Sequence, residues 1–237
     1  MKKRTYAIEF AAMLLFFVLP PLLTQSVQET PRTATYPPAT FLNAIFAALL
    51  LYAHRERAPV GTDTKKHAEG AAATPLRGYS AALHTVMIAG AGIAAFGVLC
   101  CSAAVLALIT RSHSPQLPAP LLPPHGGAGW LNCAVGTAAA VFYEEALYRR
   151  YLPEAATALF GGGKRHRHLL CEAFAVVSFA AGHRYLGIAG IVHALIAGIA
   201  LRRCLIQAGS LLAPCAAHGA YNAALLAVNF LQAQATP

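Results

Sequence analysis

Residues 81–110 form an apolar run that contains no Asp, Glu, Lys or Arg. About 20 apolar residues in a helix are enough to cross the hydrocarbon core of a bilayer, so this run predicts a tilted membrane-spanning helix. The whole chain has the same bias, because 57% of its residues are hydrophobic and 11% are charged. A soluble domain usually carries about a quarter of its residues as charged side chains. The sequence therefore predicts an integral membrane protein and excludes an ordinary soluble domain.

Seven apolar runs of this kind follow one another along the chain, separated by connections rich in Pro, Gly or charged residues. Each run is long enough, alone or with its flanks, to supply one membrane-spanning helix. The predicted fold is all-α, a polytopic transmembrane helical bundle of about seven spans, with six to eight as the range. The runs cover about residues 7–23, 41–53, 81–110, 130–148, 169–183, 187–201 and 210–231.

The Lys and Arg residues lie mainly at the ends of these runs. Cytoplasmic loops of membrane proteins are enriched in Lys and Arg, so these positions predict the orientation of the chain. With the N-terminus in the cytoplasm, all 18 of them except Arg32, Arg111 and Arg184 lie on the cytoplasmic side. The net charge of +9 then reflects membrane topology, which predicts membrane lipid as a partner and no nucleic acid. We expect the first run to be a retained helix rather than a cleaved signal peptide, because no small-x-small cleavage site follows it.

Ionisable residues inside apolar runs are costly, so they are usually paired and functional. One such group ends the fourth run, where two adjacent carboxylates, Glu144 and Glu145, precede Arg149. On a helix Glu145 and Arg149 share a face, whereas Glu144 lies about 100° around the axis from Glu145. We therefore expect Arg149 to neutralise Glu145, and Glu144 to project into a cavity as a general base. The alternative is an ordinary acidic and basic helix end at the membrane surface.

Two further polar groups occur in later runs. His183 ends an otherwise apolar run, one helical turn after Phe179; alone, it could equally be a structural residue at a helix interface. His218 and Asn222 lie on one helical face in the middle of the last run, and both can donate hydrogen bonds to a developing oxyanion. Interhelical hydrogen bonding without catalysis is the alternative for this pair.

Four other ionisable residues lie in the runs without a partner at a useful spacing. They are Glu9, His84, Glu172 and His193. We expect them at helix ends, in a cavity lining or in interhelical hydrogen bonds.

In this order, the patterns EExxxR at 144–149, FxxxH at 179–183 and HxxxN at 218–222, with Gly-Ser-Leu-Leu-Ala-Pro at 209–214, resemble the CAAX prenyl protease and bacteriocin-processing family of intramembrane endopeptidases. The resemblance covers about residues 130–231. Within the family, the chain resembles the type II CAAX prenyl endopeptidase. Arg150 departs from the pattern, since many relatives have glycine at that step.

The resemblance implies hydrolysis of a peptide bond by a water molecule that a glutamate activates. Glu144 would be the catalytic base, His183 would position the water, and His218 with Asn222 would stabilise the oxyanion. Glu145 and Arg149 would hold Glu144 in place, and Phe179 would pack beneath the site. We expect no metal, because Asn222 is a poor zinc ligand and no HExxH motif is present, although a zinc ion at the Glu and His cluster is the alternative.

The expected protein is one integral membrane domain, with N-terminal helices and loops at 1–128 and a catalytic core at 129–237. Its substrate would be a membrane-associated or lipidated peptide or protein, and its location the inner membrane of a bacterium. A non-catalytic membrane scaffold or a bacteriocin self-immunity protein is the main alternative, and a small-solute transporter is a weaker one.

The predicted spans conflict with this site in one respect. Antiparallel helices that end at Glu144 and at His183 would place these two residues about 20 Å apart at 1.5 Å per residue. Catalysis requires them to be close. We therefore predict that the fourth helix continues past Arg150, and that the fifth begins later than Leu169, so that both residues reach mid-depth around a hydrated pocket open to the cytoplasm.

Overall fold

The computed structural model describes residues 2–23, 32–57, 81–113, 121–161 and 163–235, and these residues are predominantly helical, which confirms the all-α class. The α-helices are α1 Lys2–Met13, α2 Leu19–Leu23, α3 Pro38–Arg57, α4 Ala81–His113, α5 Gly126–Glu144, α6 Leu152–Ala156, α7 Arg165–Gly182, α8 Gly187–Ala208 and α9 Leu212–Ala235. Three π-helical segments, π1 Leu14–Val18, π2 Glu145–Tyr151 and π3 Thr157–Gly161, and one 3₁₀ turn, Arg184–Leu186, continue these helices. Two short strands, β1 Arg32–Thr33 and β2 Leu121–Leu122, pair in parallel. Most of the charged loop after α3 and the centre of the Pro-rich loop after α4 lie outside the described residues.

Three helical stretches among the described residues are long and apolar enough to cross a membrane. They are Tyr6–Leu23, Thr85–Thr110 and Arg184–Ala208, and Pro38–Ala53 is a shorter apolar helix. Large apolar side chains on these helices point away from the protein, as Ile93 does with 72% of its surface exposed. Only lipid can cover so much exposed apolar surface at low cost, so the chain is an integral membrane protein.

The fourth apolar run forms one long helical rod rather than a short span. Segments α5, π2, α6 and π3 follow each other without a break from Gly126 to Gly161, which confirms that the fourth helix continues past Arg150. At about 1.5 Å per residue, the rod extends roughly 26 Å beyond Glu144.

The prediction that the fifth helix begins after Leu169 is wrong, because α7 already begins at Arg165. Gly163 turns the chain with φ of +72°, and Lys164 is extended, so the basic residues that follow form the first turn of the helix instead of a loop. Glu144 lies 17 residues before Gly161, and His183 lies 18 residues after Arg165. Because both residues lie about equally far along the chain from the turn at Gly163, we expect Glu144 and His183 near the same level of the antiparallel hairpin.

The N-terminal helices pack against this hairpin and contribute to its core. Phe10 and Met13 of α1 are buried in one apolar cluster with Tyr151 of π2 and Leu152 of α6. A second buried cluster joins α4, α8 and α9, and most of its members are small residues, which allow close approach of helix backbones.

The segment before α3 is fixed to α5 by its Tyr36. The side-chain amide of Asn132 accepts a hydrogen bond from the Tyr36 N–H at 2.8 Å and donates one to the Tyr36 carbonyl at 3.2 Å. The Tyr36 ring lies directly against Gly136, where a Cβ atom would come within 2.4 Å of two ring carbons. Only glycine leaves room for the ring at this position.

Gly136→Ala is therefore expected to lower the free energy of unfolding by about 1–3 kcal/mol, the usual effect of overpacking a close contact. Thermal unfolding of the purified protein in one detergent measures this difference. Gly127→Ala is the matched control, because a Cβ atom at Gly127 meets nothing within 4 Å. Equal stability of the two variants would contradict the proposed fit of Tyr36 against α5.

Candidate active site

Two adjacent glutamates at the junction of α5 and π2 have different surroundings. The Glu144 side chain is 28% exposed, and the Glu145 side chain is completely buried. Glu145 Oε1 lies 2.9 Å from His218 Nδ1 and 3.5 Å from Arg149 Nη2. Glu145 therefore has two partners at one carboxylate oxygen, whereas Glu144 remains accessible to a small molecule.

His218 of α9 lies between the two carboxylates. Its Nδ1 faces Glu145, and its Nε2 lies 3.9 Å from Glu144 Oε2. An ionised carboxylate only accepts hydrogen bonds, so Nδ1 of His218 carries a proton. This bond fixes the ring orientation and directs Nε2 toward Glu144.

Arg149 is almost completely buried, with 1% of its side chain exposed. Besides the Glu145 carboxylate, its guanidinium faces the ring of Phe179, with 3.7 Å from the guanidinium carbon to the ring centroid. Within the described part of the chain its side-chain nitrogens make no hydrogen bond. The carboxylate and the aromatic face are therefore the main compensation for burying this cation.

Phe179 and His183 extend the group of contacts along α7. The two rings are 4.4 Å apart between centroids, and His183 Nδ1 lies 2.8 Å from the Phe179 carbonyl oxygen. A carbonyl only accepts, so the Nδ1–H of His183 donates this bond and leaves Nε2 as an acceptor when the ring is neutral. Tyr148 packs against the same Phe179 ring, at 5.3 Å between centroids.

Direct contacts thus join six of the seven predicted site residues into two groups that share Arg149: Glu144, Glu145, Arg149, Phe179, His183 and His218. The seventh, Asn222, is half-buried in α9 and lies one helical turn after His218, on the same face. The arrangement offers one accessible carboxylate beside a histidine whose other nitrogen is occupied. The carboxylate can take up a proton, and the histidine beside it can form a hydrogen bond to a neighbouring atom of a substrate.

Three of the four ionisable residues that have no partner close in sequence bind a partner on another helix. Glu9 accepts a hydrogen bond from the Tyr151 hydroxyl at 3.1 Å, and His193 Nδ1 lies 3.0 Å from the Ser102 hydroxyl. Glu172 binds Arg202 of α8 through both carboxylate oxygens. These contacts confirm the expected interhelical bonds, although no local spacing could identify the partners. The side chain of His84 lies outside the described residues.

An apolar groove of about 730 Å³ runs between α5 and α9. It adjoins the site through Val141 and Gly219, but none of the predicted catalytic side chains lines it. At one end Trp130 and Phe230 pack edge to face, with centroids 5.6 Å apart. The groove has the size and lining of a site for an apolar chain.

Among the described residues, no group of three or more His, Cys, Asp or Glu side chains is arranged to hold a metal ion.

Comparison with known families gives a match over residues 126–224, to the family described as "Type II CAAX prenyl endopeptidase Rce1-like". No curated protein and no solved structure matches the chain. The matched segment begins at the first residue of α5, ends within α9 and contains all seven predicted site residues. Members of this family are proteases, which are hydrolases, and the apolar helices are those of a membrane protein. This segment of the chain therefore belongs to the CAAX prenyl protease family, as its three motifs predicted.

Proposed function

We propose that the protein is an intramembrane glutamic endopeptidase that cleaves a peptide bond in a membrane-associated or lipidated peptide or protein. The observation that carries this proposal is the contrast between Glu144, which is accessible, and Glu145, which is buried and bonded to His218 and Arg149. A general base must reach its water, and a positioning carboxylate must not move. The two glutamates meet these different requirements on adjacent positions.

In the proposed mechanism Glu144 takes a proton from a water molecule as the water oxygen attacks the carbonyl carbon of the substrate. The other O–H of the water donates a hydrogen bond to Nε2 of His183, and this bond orients the water for attack. Asn222 and the ring of His218 donate hydrogen bonds to the carbonyl oxygen as it becomes negative. Glu144 then passes its proton to the leaving nitrogen, and the carbon–nitrogen bond breaks.

We also propose that no metal takes part. Glu145, the second carboxylate of the cluster, already binds His218 and Arg149, and Asn222 suits an oxyanion better than zinc. Glu144 with the two histidines remains the set on which the zinc alternative depends.

The test is cleavage by the purified protein in lipid nanodiscs, with lipidated and unlipidated membrane peptides as substrates and mass spectrometry of the products. In H₂¹⁸O the new carboxyl group is expected to gain ¹⁸O, which shows that water supplies the oxygen. After treatment with 1,10-phenanthroline the rate is expected to stay within about twofold, because no metal-activated water is lost. Loss of activity that zinc restores would contradict the metal-free mechanism, and absence of cleavage of every peptide would contradict the endopeptidase.

The proposed setting is a multi-pass protein of the bacterial inner membrane, with seven spans and the N-terminus in the cytoplasm. The three candidate spans and the positions of the Lys and Arg residues support it. We retain 1–128 as N-terminal helices and loops and 129–237 as the catalytic core of one integral membrane domain.

A non-catalytic scaffold or bacteriocin self-immunity protein is the second candidate. The buried contacts of Glu145, Arg149 and Phe179 favour this candidate, because they would stabilise the packing of the helices even if no reaction took place. This candidate assigns no necessary role to the basicity of Glu144.

A further inference from the structure

We propose that Arg202 is a positioning residue of this site, which fixes the π-helical segment π2 by binding the backbone carbonyl of Arg149. The inference rests on the proposed function, since π2 begins at Glu145 and directly follows Glu144. It assigns a role to a residue outside the three sequence motifs.

Arg202 makes three hydrogen bonds from α8 to two other elements. Its Nη1 donates to the Arg149 carbonyl oxygen at 2.7 Å, and its Nε donates to Glu172 Oε2 at 2.7 Å. Its Nη2 donates to the other oxygen of Glu172, so the guanidinium and the carboxylate form a bidentate pair. Both side chains are largely buried, with 13% and 19% exposed. Glu172 of α7 therefore orients the guanidinium, and the remaining nitrogen binds π2.

The Arg149 carbonyl lacks its α-helical donor because of a proline four residues later. In an α-helix the N–H of residue 153 would bond to the carbonyl of residue 149, but Pro153 has no N–H. A buried carbonyl without a donor costs free energy, and π-helical turns are rare and need support from outside the helix. Arg202 supplies the hydrogen bond that Pro153 cannot.

The bound carbonyl belongs to Arg149, whose side chain contacts the positioning carboxylate of Glu145. The Arg149 guanidinium lies 3.5 Å from Glu145, which binds His218, which in turn lies 3.9 Å from Glu144. A shift of the Arg149 backbone would pass along these contacts to Glu144. Misplacement by about 1 Å can lower a rate by about 100-fold without any change in the reacting groups.

The alternative is that Arg202 and Glu172 only tie α8 to α7. The two roles of Arg202 predict different effects of Pro153→Ala. If Arg202 replaces the missing Pro153 bond, Pro153→Ala provides an N–H and makes the site less dependent on Arg202. If the ion pair is only a tie between helices, Pro153→Ala has no reason to compensate for its loss.

The experiment compares the double variant Arg202→Met/Glu172→Met, with and without Pro153→Ala, in the cleavage assay. Replacing both partners avoids an unpaired buried charge, so the protein is expected to fold. We expect kcat to fall by about 10- to 100-fold with KM within about threefold, and Pro153→Ala to recover about tenfold of kcat. Arg203→Met is the matched control, an exposed neighbour on α8, and is expected to keep wild-type kcat. A double variant with wild-type kcat, or a loss that Pro153→Ala does not reduce, would overturn the proposal.

Hydrogen exchange of the backbone amides gives a readout that needs no turnover. In the double variant we expect faster exchange at residues 149–155, a return toward the wild-type rate with Pro153→Ala, and no change in Arg203→Met. Unchanged exchange in the double variant would reject the role of Arg202 even if the enzyme were active. If instead the wild-type protein cleaves no peptide, the proposed function fails, and the exchange rates still decide whether Arg202 fixes π2.

Discussion

Glu144→Gln is expected to lower kcat for peptide cleavage by about 1,000-fold, within the range that a positioned general base contributes. Glutamine keeps the shape of the side chain and can still form hydrogen bonds, but it cannot take a proton from water. The fold is expected to persist, because the Glu144 side chain is partly exposed and its charge lies 3.9 Å from His218. Kinetics in nanodiscs and thermal unfolding of the same preparation measure the two effects separately.

Glu154→Gln is the matched control for this prediction. Glu154 lies on the same helical rod, is 38% exposed and pairs with Arg150 at 3.7 Å. Its removal is expected to change kcat by less than about twofold, since exposed ion pairs contribute little. Wild-type turnover by Glu144→Gln would remove the proposed mechanism, and full biological effect of that variant would favour the scaffold or immunity protein.

Arg149→Met is expected to destabilise the protein by about 3–5 kcal/mol, the usual cost of removing one partner of a buried ion pair. Glu145 would remain completely buried with His218 as its remaining partner among the predicted site residues. The contact between the guanidinium and the Phe179 ring would also be lost. Denaturant or thermal unfolding in mixed micelles measures the change in the free energy of unfolding.

Two further variants show whether the loss comes from the buried charge. Arg150→Met removes the same charge from the next residue, which is 45% exposed, and is expected to cost at most about 1 kcal/mol. Adding Glu145→Gln to Arg149→Met removes the unpaired carboxylate and is expected to recover part of the stability. A double variant that is no more stable than Arg149→Met would show that the ion pair is not the source of the effect.

The helices could be predicted largely from hydropathy, because a segment in lipid must satisfy its own backbone hydrogen bonds. The start of α7 could not. Three Lys and Arg residues with two histidines between residues 163 and 169 are typical of a connection, yet most of them lie in the first turns of α7, exposed at its end. The turn itself depends on the left-handed conformation of Gly163, which hydropathy does not report.

In the site, contacts within one helix could be predicted from the sequence, and contacts between helices could not. The spacing of Glu145 and Arg149 within one helix predicts their contact, and that contact is present. The bond between Glu172 and Arg202 joins residues 30 positions apart on different helices, so no spacing rule applies. Pro153 does signal from sequence that the Arg149 carbonyl lacks its α-helical donor, but the contact with Arg202 could only be found from the packing of α8 against π2.

The packing of α1 has a consequence for how the family segment can be isolated. Tyr151 and Leu152, in the second half of the long rod, are buried in one cluster with Phe10 and Met13, and the Tyr151 hydroxyl binds Glu9. A fragment cut at residue 126 would keep every motif residue and uncover this apolar surface and its hydroxyl. The start of the family match is therefore not a structural boundary in the molecule, and experiments on the predicted site residues should use the full chain.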